Sequence, residues 1–597
     1  MAMTSAPVLH EDRTATAEGA WNPGLESDLP RPLMRLATVF RPENVSTTLA
    51  KAFELSDFCG LPPQALVAFR PERLVIHELL VRVTADLAVP DGETYEDLGR
   101  NFRSIASTIL TNDIAPNLAR LRQVFADVRS AAGHVIAREL DALLAQRAAP
   151  ASPAPARRTR WPFGVGGARP YPAARESAEE REQRILRDWA CRAHTAESRL
   201  DRACLRALGT IGTAIAARRG RLFADKDLIT ELTLTLVCND FASERIGEAI
   251  GPFVRESARR EGFQLLSRQE RPVIMNVKGA SASGKSTMRP LQRLLAEKLG
   301  FPWENFALIS PDIWRKFLLD YGSLGPAYKY AGTMTGHELE IVDKKLDRHM
   351  ALKAARGETS HLLIDRFRFD SFVEGREPTR LLTRFGDLVY MFFIITPPEM
   401  TVERAWKRGL LVGRYKAVED LLAHNVEAYT GMPELFFTWA LDIRRRVHYE
   451  FLDNSVAEGS PPLTVAFGWN GEMTILDLTR MLDVERFRRI NIKAQRPQDV
   501  YVEKALAPER NVEFLQRCAR LIPTINFADR DTGRVYARLE HGTWTWRDED
   551  AISRHLADPD VRAALSAIPA KRRAGAAQPP ASPVIDDSHN LGARRAI

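Results

Sequence analysis

Residues 273–298 read V-I-M-N-V-K-G-A-S-A-S-G-K-S-T-M-R-P-L-Q-R-L-L-A-E-K. A short apolar run, a loop of small residues, and a segment in which Leu and Ala return every three or four positions follow one another, which spells strand, loop, helix. Across the loop, Gly279 to Thr287 satisfies G-x-x-x-x-G-K-[ST] in the strand-to-helix setting that its chemistry demands. Gly279, Ala280, Ser281, Ala282, Ser283 and Gly284 form a tight turn whose backbone N–H groups, with the following helix N-terminus, point at phosphates. Lys285 is expected to neutralise the terminal phosphates and Ser286 to give an oxygen to Mg²⁺, with Thr287 completing the set. Such a loop defines an ATP-type donor site. Alone, it does not separate a kinase from an ATPase, a GTPase or a ligase.

Working outward, further apolar runs stand at 306–310 (FALIS), 362–365 (LLID) and 388–396 (LVYMFFIIT), with helical text between them. Strands alternating with helices predict an α/β P-loop core at 271–483 with a mainly parallel sheet. Near its end, Asn470-Gly471 between two apolar runs predicts a hairpin at or just outside the sheet edge. Residues 484–569 read as a small α+β unit with a second hairpin, including Trp544 and Trp546 in cross-strand packing, and 570–597 as a disordered tail.

Acidic and basic residues cluster after the predicted strands. Asp312 and Arg315 in S-P-D-I-W-R follow the second strand, where a parallel sheet opens onto its ligand crevice. Asp312 is expected to accept or orient the proton of an acceptor hydroxyl, or else to cap the next helix. Asp365 ends the run H-L-L-I-D and is the best carboxylate for Mg²⁺ or substrate, again with a cap as the alternative. Arg368, in D-R-F-R-F-D, is a further substrate candidate. Arg404 and Arg408 are four residues apart on a helix, and Arg414 follows a glycine, so guanidinium groups there are placed to clamp a transferring phosphoryl group.

Taken in order, GASASGKST, SPDIWR, LLID, TVERAWKRG, VGRYK, FLDNS and FGWNGEMTIL resemble the zeta-toxin family of P-loop kinases over about 200 residues. The resemblance implies ATP and Mg²⁺ as cofactors and phosphoryl transfer to a small-molecule hydroxyl, on a nucleotide sugar or a dinucleotide. It casts Lys285 and Ser286 on the phosphates and Mg²⁺, Asp312 as the acceptor-side base, and Arg404 with Arg414 on the transferring phosphate. The glycine that the family often places after the strand-end acid is absent, since Arg366 follows Asp365. Toxin or effector biology is a weaker implication. Other P-loop NTPases, nucleic-acid end kinases, protein-modifying kinases and nucleotide-dependent scaffolds remain as alternatives.

The flanks have no counterpart in a minimal toxin. Amphipathic periodicity fills a helical region within 1–147 and another at 181–270, joined by a Pro/Gly/Arg-rich linker at 148–180. They are expected to be a built-in inhibitor or intramolecular helical regulator, a delivery or localisation region, or an oligomerisation surface, and the expected partner is an inhibitory protein or that intramolecular regulator. In 597 residues the net charge is only +7, with 84 basic and 77 acidic residues, so no strong nucleic-acid signal emerges. The five cysteines are odd in number and lack C-x-x-C spacing, which argues against a disulfide framework or a closed zinc site. The opening residues do not read as a Sec-type leader and no run reads as a transmembrane span, so the expectation is a cytoplasmic protein, or an effector exported by a non-classical route.

Overall fold

The computed structural model describes residues 18–148, 177–222, 225–366, 382–568, 571–572 and 585–595. Its first part is helical: α1 (Leu49–Cys59), α2 (Pro71–Asp86), α3 (Tyr95–Ile109), α4 (Leu118–Ala148), α5 (Ala178–Thr195), α6 (Arg199–Arg219), α7 (Lys226–Val237) and α8 (Ser243–Glu261). The core follows as β1 (Val273–Lys278), α9 (Arg289–Lys298), β2 (Phe306–Ile309), the short α10 (Arg315–Leu318) and α11 (Ala331–Met334), α12 (Gly336–Ala355) and β3 (His361–Asp365). It continues through β4 (Leu388–Ile395), α13 (Pro398–Val412), α14 (Val418–Ala440) and β5 (Arg446–Asp453).

These five strands run parallel in the order β2-β3-β1-β4-β5. Every residue of β1 and β2 is buried, as expected of parallel strands covered on both faces. The chain leaves β1 toward β2 on one side and β4 toward β5 on the other. Crossovers therefore diverge between β1 and β4, and the crevice beyond their carboxyl ends is where α/β sheets take ligands.

β6 (Leu463–Trp469) and β7 (Glu472–Ile475) form the expected hairpin, turning at Gly471 with φ +78°. Its predicted place at the edge is wrong. β8 (Thr524–Ala528) pairs in parallel with β7, and β9 (Val535–Glu540), β10 (Thr543–Arg547) and β11 (Lys571–Arg572) extend the same sheet to eleven strands. A hairpin's own turn fixes the pairing of its two strands; it does not say whether the outer one is left open. The C-terminal α+β region is thus hydrogen-bonded into the core sheet, and Trp544 is buried against Phe527.

The last described segment also departs from expectation. Residues 585–595, read as disordered tail, return to β5 and β6: the N–H groups of Leu591 and Gly592 donate to the buried Glu450 carboxylate, at 2.7 and 3.1 Å. The Thr464 hydroxyl donates to the same group at 2.7 Å, and His589 Nδ1 lies 2.9 Å from the Tyr390 hydroxyl. A polar composition is no guide to order when a buried carboxylate supplies partners for the backbone.

The helical flank divides between two hydrophobic cores. Leu74, Leu80, Phe102 and Ile250 from α2, α3 and α8 share one core with Ile274, Leu308 and Leu363 of the sheet. The other core joins Ile136 of α4 to Trp189, Leu208 and Ile211 and includes no strand residue. A buried polar network fastens α2 to α12: Arg73 Nη2 donates to Glu338 Oε2 at 2.6 Å, and His77 Nε2 lies 2.7 Å from Glu338 Oε1. Lys345 Nζ reaches His77 Nδ1 at 3.1 Å and the Ser243 hydroxyl at 2.6 Å. Burial, with the Lys345 charge, pulls the His77 pKa down to about 4, so the ring is neutral, accepting from Lys345 and donating to Glu338.

Among the described residues Cys59, Cys204, Cys238 and Cys518 are buried free thiols and Cys191 is an exposed one. No described helix is long and apolar enough to cross a membrane.

Candidate active site

The phosphate-type loop leaves the end of β1 and enters α9 through a turn at Lys285–Met288. Gly284 has φ +97°, and a Cβ there would run into the Asn454 amide, so the position needs glycine. Ala282 takes φ +61° without being glycine, a strained conformation of the kind held where backbone must be aimed. Lys285 Nζ donates to the carbonyls of Gly279 and Ala280, at 3.0 and 2.8 Å. Burial draws its pKa below the ordinary lysine value, with Asp365 and Asp312 opposing and Arg408 and Arg414 reinforcing. All four lie within electrostatic reach of one ammonium, so the loop and the acidic turn share a crevice.

The Ser286 hydroxyl donates to Asp365 Oδ2 at 2.9 Å, joining the first helical turn to the carboxyl end of β3. The Thr287 hydroxyl is turned onto the Gly284 carbonyl at 2.7 Å. Ser283 is held by its carbonyl, which accepts from Thr396 Oγ1 at 3.1 Å, Arg404 Nη1 at 3.3 Å and Asn454 Nδ2 at 2.7 Å. Arg404 Nη2 also donates to the Asn454 carbonyl at 2.7 Å. In this state the Arg404 guanidinium is engaged in shaping the loop. Asn454 is a site residue that sequence reasoning missed; its one signal is its place directly after a parallel strand, β5.

Asp312 lies in the turn Pro311–Trp314 that follows β2. Its carboxylate does not cap the helix. Oδ1 accepts from Arg315 Nε at 2.8 Å, and Oδ2 from Arg414 Nη2 at 2.6 Å. Arg315 is fixed in turn by Nη1 on the Gly332 carbonyl at 2.6 Å and on Thr335 Oγ1 at 2.8 Å. Burial pushes the Asp312 pKa up, but Arg414 and Arg315 outweigh it and hold the carboxyl well below the usual carboxylate range. With a side chain 41% exposed, Asp312 presents a charged carboxylate to the crevice.

Cations crowd this end. Arg408 Nε donates to the Arg414 carbonyl at 3.3 Å. Lys416, 2.6 Å from His424 Nδ1, has its pKa lowered to about 7 by burial and by Arg408 and Arg315, against the pull of Asp420. Arg366, directly after Asp365, is buried and ion-paired with Asp347 at 2.5 Å and Asp343 at 2.8 Å, both on α12. Its carbonyl accepts from the buried Lys278 Nζ at 2.9 Å. Arg366 thus braces the end of β3. Arg368, with Phe367, Phe369, Asp370 and Phe372, lies outside the described residues.

The helical flank reaches this place as well. A cavity of about 20 Å³ is lined by Glu96, Gly99 and Arg103 of α3 together with Asp312, Arg315 and Arg414. Nothing in the periodicity of α3 pointed to that approach.

No family model matches the chain, and no curated protein matches it. Among solved structures it is similar to a chain from the PezAT chromosomal toxin–antitoxin system of the human pathogen Streptococcus pneumoniae, at 16% identity and a TM-score of 0.24. The match covers 35% of this chain and 75% of that one. The likeness is distant and partial.

Proposed function

We propose that the chain is an ATP- and Mg²⁺-dependent kinase that phosphorylates a hydroxyl of a small molecule. The observation that carries this reading is the pairing, in one crevice, of the Lys285/Ser286 loop with a charged Asp312 held between two arginines. A hydrolase of ATP would use such a carboxylate to orient water, and a kinase would use it to orient an acceptor hydroxyl; following the label from γ-labelled ATP separates the two.

The residues present fit both groups. The loop is strained at Ala282, and the Ser283 hydroxyl is buried without a partner among the described residues, as in a cradle shaped for phosphate oxygens. Ser286 and Asp365 are a hydroxyl and a carboxylate, the oxygen donors that Mg²⁺ prefers, and would hold it. Bound there, Mg²⁺ would offset charge on the phosphates. Lys285 would leave the Gly279 and Ala280 carbonyls for phosphate oxygens. Arg414, beside Asp312, is placed to meet charge on the transferring group, while Arg404 keeps the loop in shape.

A carboxylate held this far below its usual pKa is a weak base. In a loose transition state the hydroxyl proton departs late, so orienting the oxygen matters more than removing its proton early. Asp312 therefore acts chiefly by positioning the hydroxyl and receives the proton as transfer completes. The test is incubation of the full chain with Mg²⁺, γ-labelled ATP and a metabolite extract, following label into small molecules, RNA and protein. Label in small molecules that is lost in Asp312→Asn supports the reading. Label in RNA or protein alone, or release as phosphate with every extract, overturns it.

A further inference from the structure

The acceptor end of the crevice has a wall that does not come from the P-loop core. Glu96, Gly99 and Arg103 recur at a spacing that sets them on one face of α3, and that face meets the turn carrying Asp312. Glu96 anchors it: Lys316 Nζ donates to Glu96 Oε2 at 3.0 Å. Gly99 lies against the same turn, where a Cβ would fall 3.9 Å from the Ile313 Cβ and 3.1 Å from Arg103 Nη1. Trp314, two residues past Asp312, is buried and tied to α2 by Nε1 donating to Thr84 Oγ1 at 3.1 Å. The helical flank is thus fixed to the Asp312 turn at two points.

Charge in this corner is unbalanced. The cavity is lined by Arg103, Arg315, Lys316 and Arg414 against two carboxylates, Glu96 and Asp312. Asp312 is taken by Arg315 and Arg414, and Glu96 by Lys316. Arg103 alone of the four cations forms no hydrogen bond or ion pair among the described residues, though it is partly buried. Burial, opposed by Glu96 and reinforced by Arg100, lowers its pKa from the ordinary arginine value; it stays charged at neutral pH. A partly desolvated guanidinium whose one nearby carboxylate, Glu96, is already paired with Lys316 gains from a further anionic group.

We infer that Arg103, delivered by the helical flank, is a specificity residue of the acceptor site and receives an anionic group, phosphate or carboxylate, that the acceptor carries apart from the hydroxyl to be phosphorylated. This rests on the kinase reading above. The present space of about 20 Å³ admits one water, so acceptor binding requires the partly exposed Arg103 side chain to move outward as the acceptor enters. The donor's phosphates do not compete for it, since the loop and Lys285 serve them. It also gives the helical flank a direct part in substrate choice, which a separate regulatory domain would lack.

The experiment uses the full chain with Mg²⁺ and γ-labelled ATP. A metabolite extract is first split at neutral pH on an anion exchanger into a retained, anionic fraction and a neutral or cationic flow-through. Label is expected in products of the retained fraction only. With that fraction as acceptor, Arg103→Ala should slow transfer about 10-fold at low acceptor and recover at high acceptor, a KM effect with kcat nearly intact. Arg103→Lys should restore part of the loss. ATP affinity should stay at the wild-type value and the thermal midpoint should not fall, whereas a merely structural role would lower the midpoint. Equal labelling from the flow-through, or an Arg103→Ala enzyme with unchanged acceptor KM, overturns the inference while leaving the kinase reading in place. Absence of label from either fraction overturns both.

Discussion

At the proposed donor end of the crevice, a loop of nine successive residues, Gly279 to Thr287, is held from behind by Thr396, Arg404 and Asn454 on a single carbonyl. At the proposed acceptor end, Asp312 is held by Arg414, 102 residues away in the chain, and faces a wall contributed by a helix from the N-terminal flank. Backbone N–H groups aimed at phosphate come from one contiguous loop, even where distant side chains brace it, whereas selecting an acceptor needs side chains brought from several elements. The donor end is therefore expected to be generic and the acceptor end particular to this chain.

The sharpest way to break that comparison is Lys285→Ala, expected to lower transfer by about 10³-fold because the ammonium meets charge that grows as the bond breaks. Folded protein with unchanged single-turnover transfer would remove the donor end from the argument. Asp312→Asn comes next, with a loss of roughly 10²-fold in transfer and ATP affinity near wild type. Equal loss of ATP affinity would show that the two ends are not separable. Because Arg414 and Arg315 already hold Asp312 ionised, the wild-type rate should show no acid limb from this group between about pH 5 and pH 8.

A smaller effect is expected from Ser286→Ala, which removes the hydroxyl facing Asp365. The Mg²⁺ concentration for half-maximal transfer should rise roughly 10-fold, with the acceptor KM unmoved. A changed acceptor KM would mean that Ser286 also shapes the other end. The smallest effect lies away from both ends. Burial raises the Glu450 pKa from 4.5 to about 7, against hydrogen bonds from Leu591, Thr464 and Gly592 that lower it. The folded chain then keeps this proton where the unfolded chain has lost it. Stability should fall as pH rises from about 4.5 to about 7, a matter of a few degrees in Tm. Glu450→Gln should flatten that slope, and an unaltered slope would assign it to other groups.

Several elements were legible from local pattern alone. The apolar runs at 273–277, 306–310, 362–365 and 388–396 correspond to β1 to β4 within a residue or so, because buried parallel strands are written as continuous apolar text. The hairpin at Asn470-Gly471 was legible for the same local reason, but its place inside the sheet was not. Pairing of β7 with β8 joins segments some fifty residues apart, and period-two patterning does not encode a partner. Nor was the return of 585–595 legible, since its order depends on Glu450, far upstream.

By itself, then, the sequence determined the P-loop, its strand and helix, the parallel core and the helical character of the flank. Each of these follows from contiguous residues obeying a period or filling a turn. Only the tertiary structure decided that Asp312 is an ion-paired carboxylate and not a helix cap, that Arg404 and Asn454 brace the loop, and that α3 brings Arg103 beside the Asp312 turn. The reason is physical: the chemistry of a charged side chain is set by the charges and the water around it, and here those neighbours come from segments hundreds of residues apart.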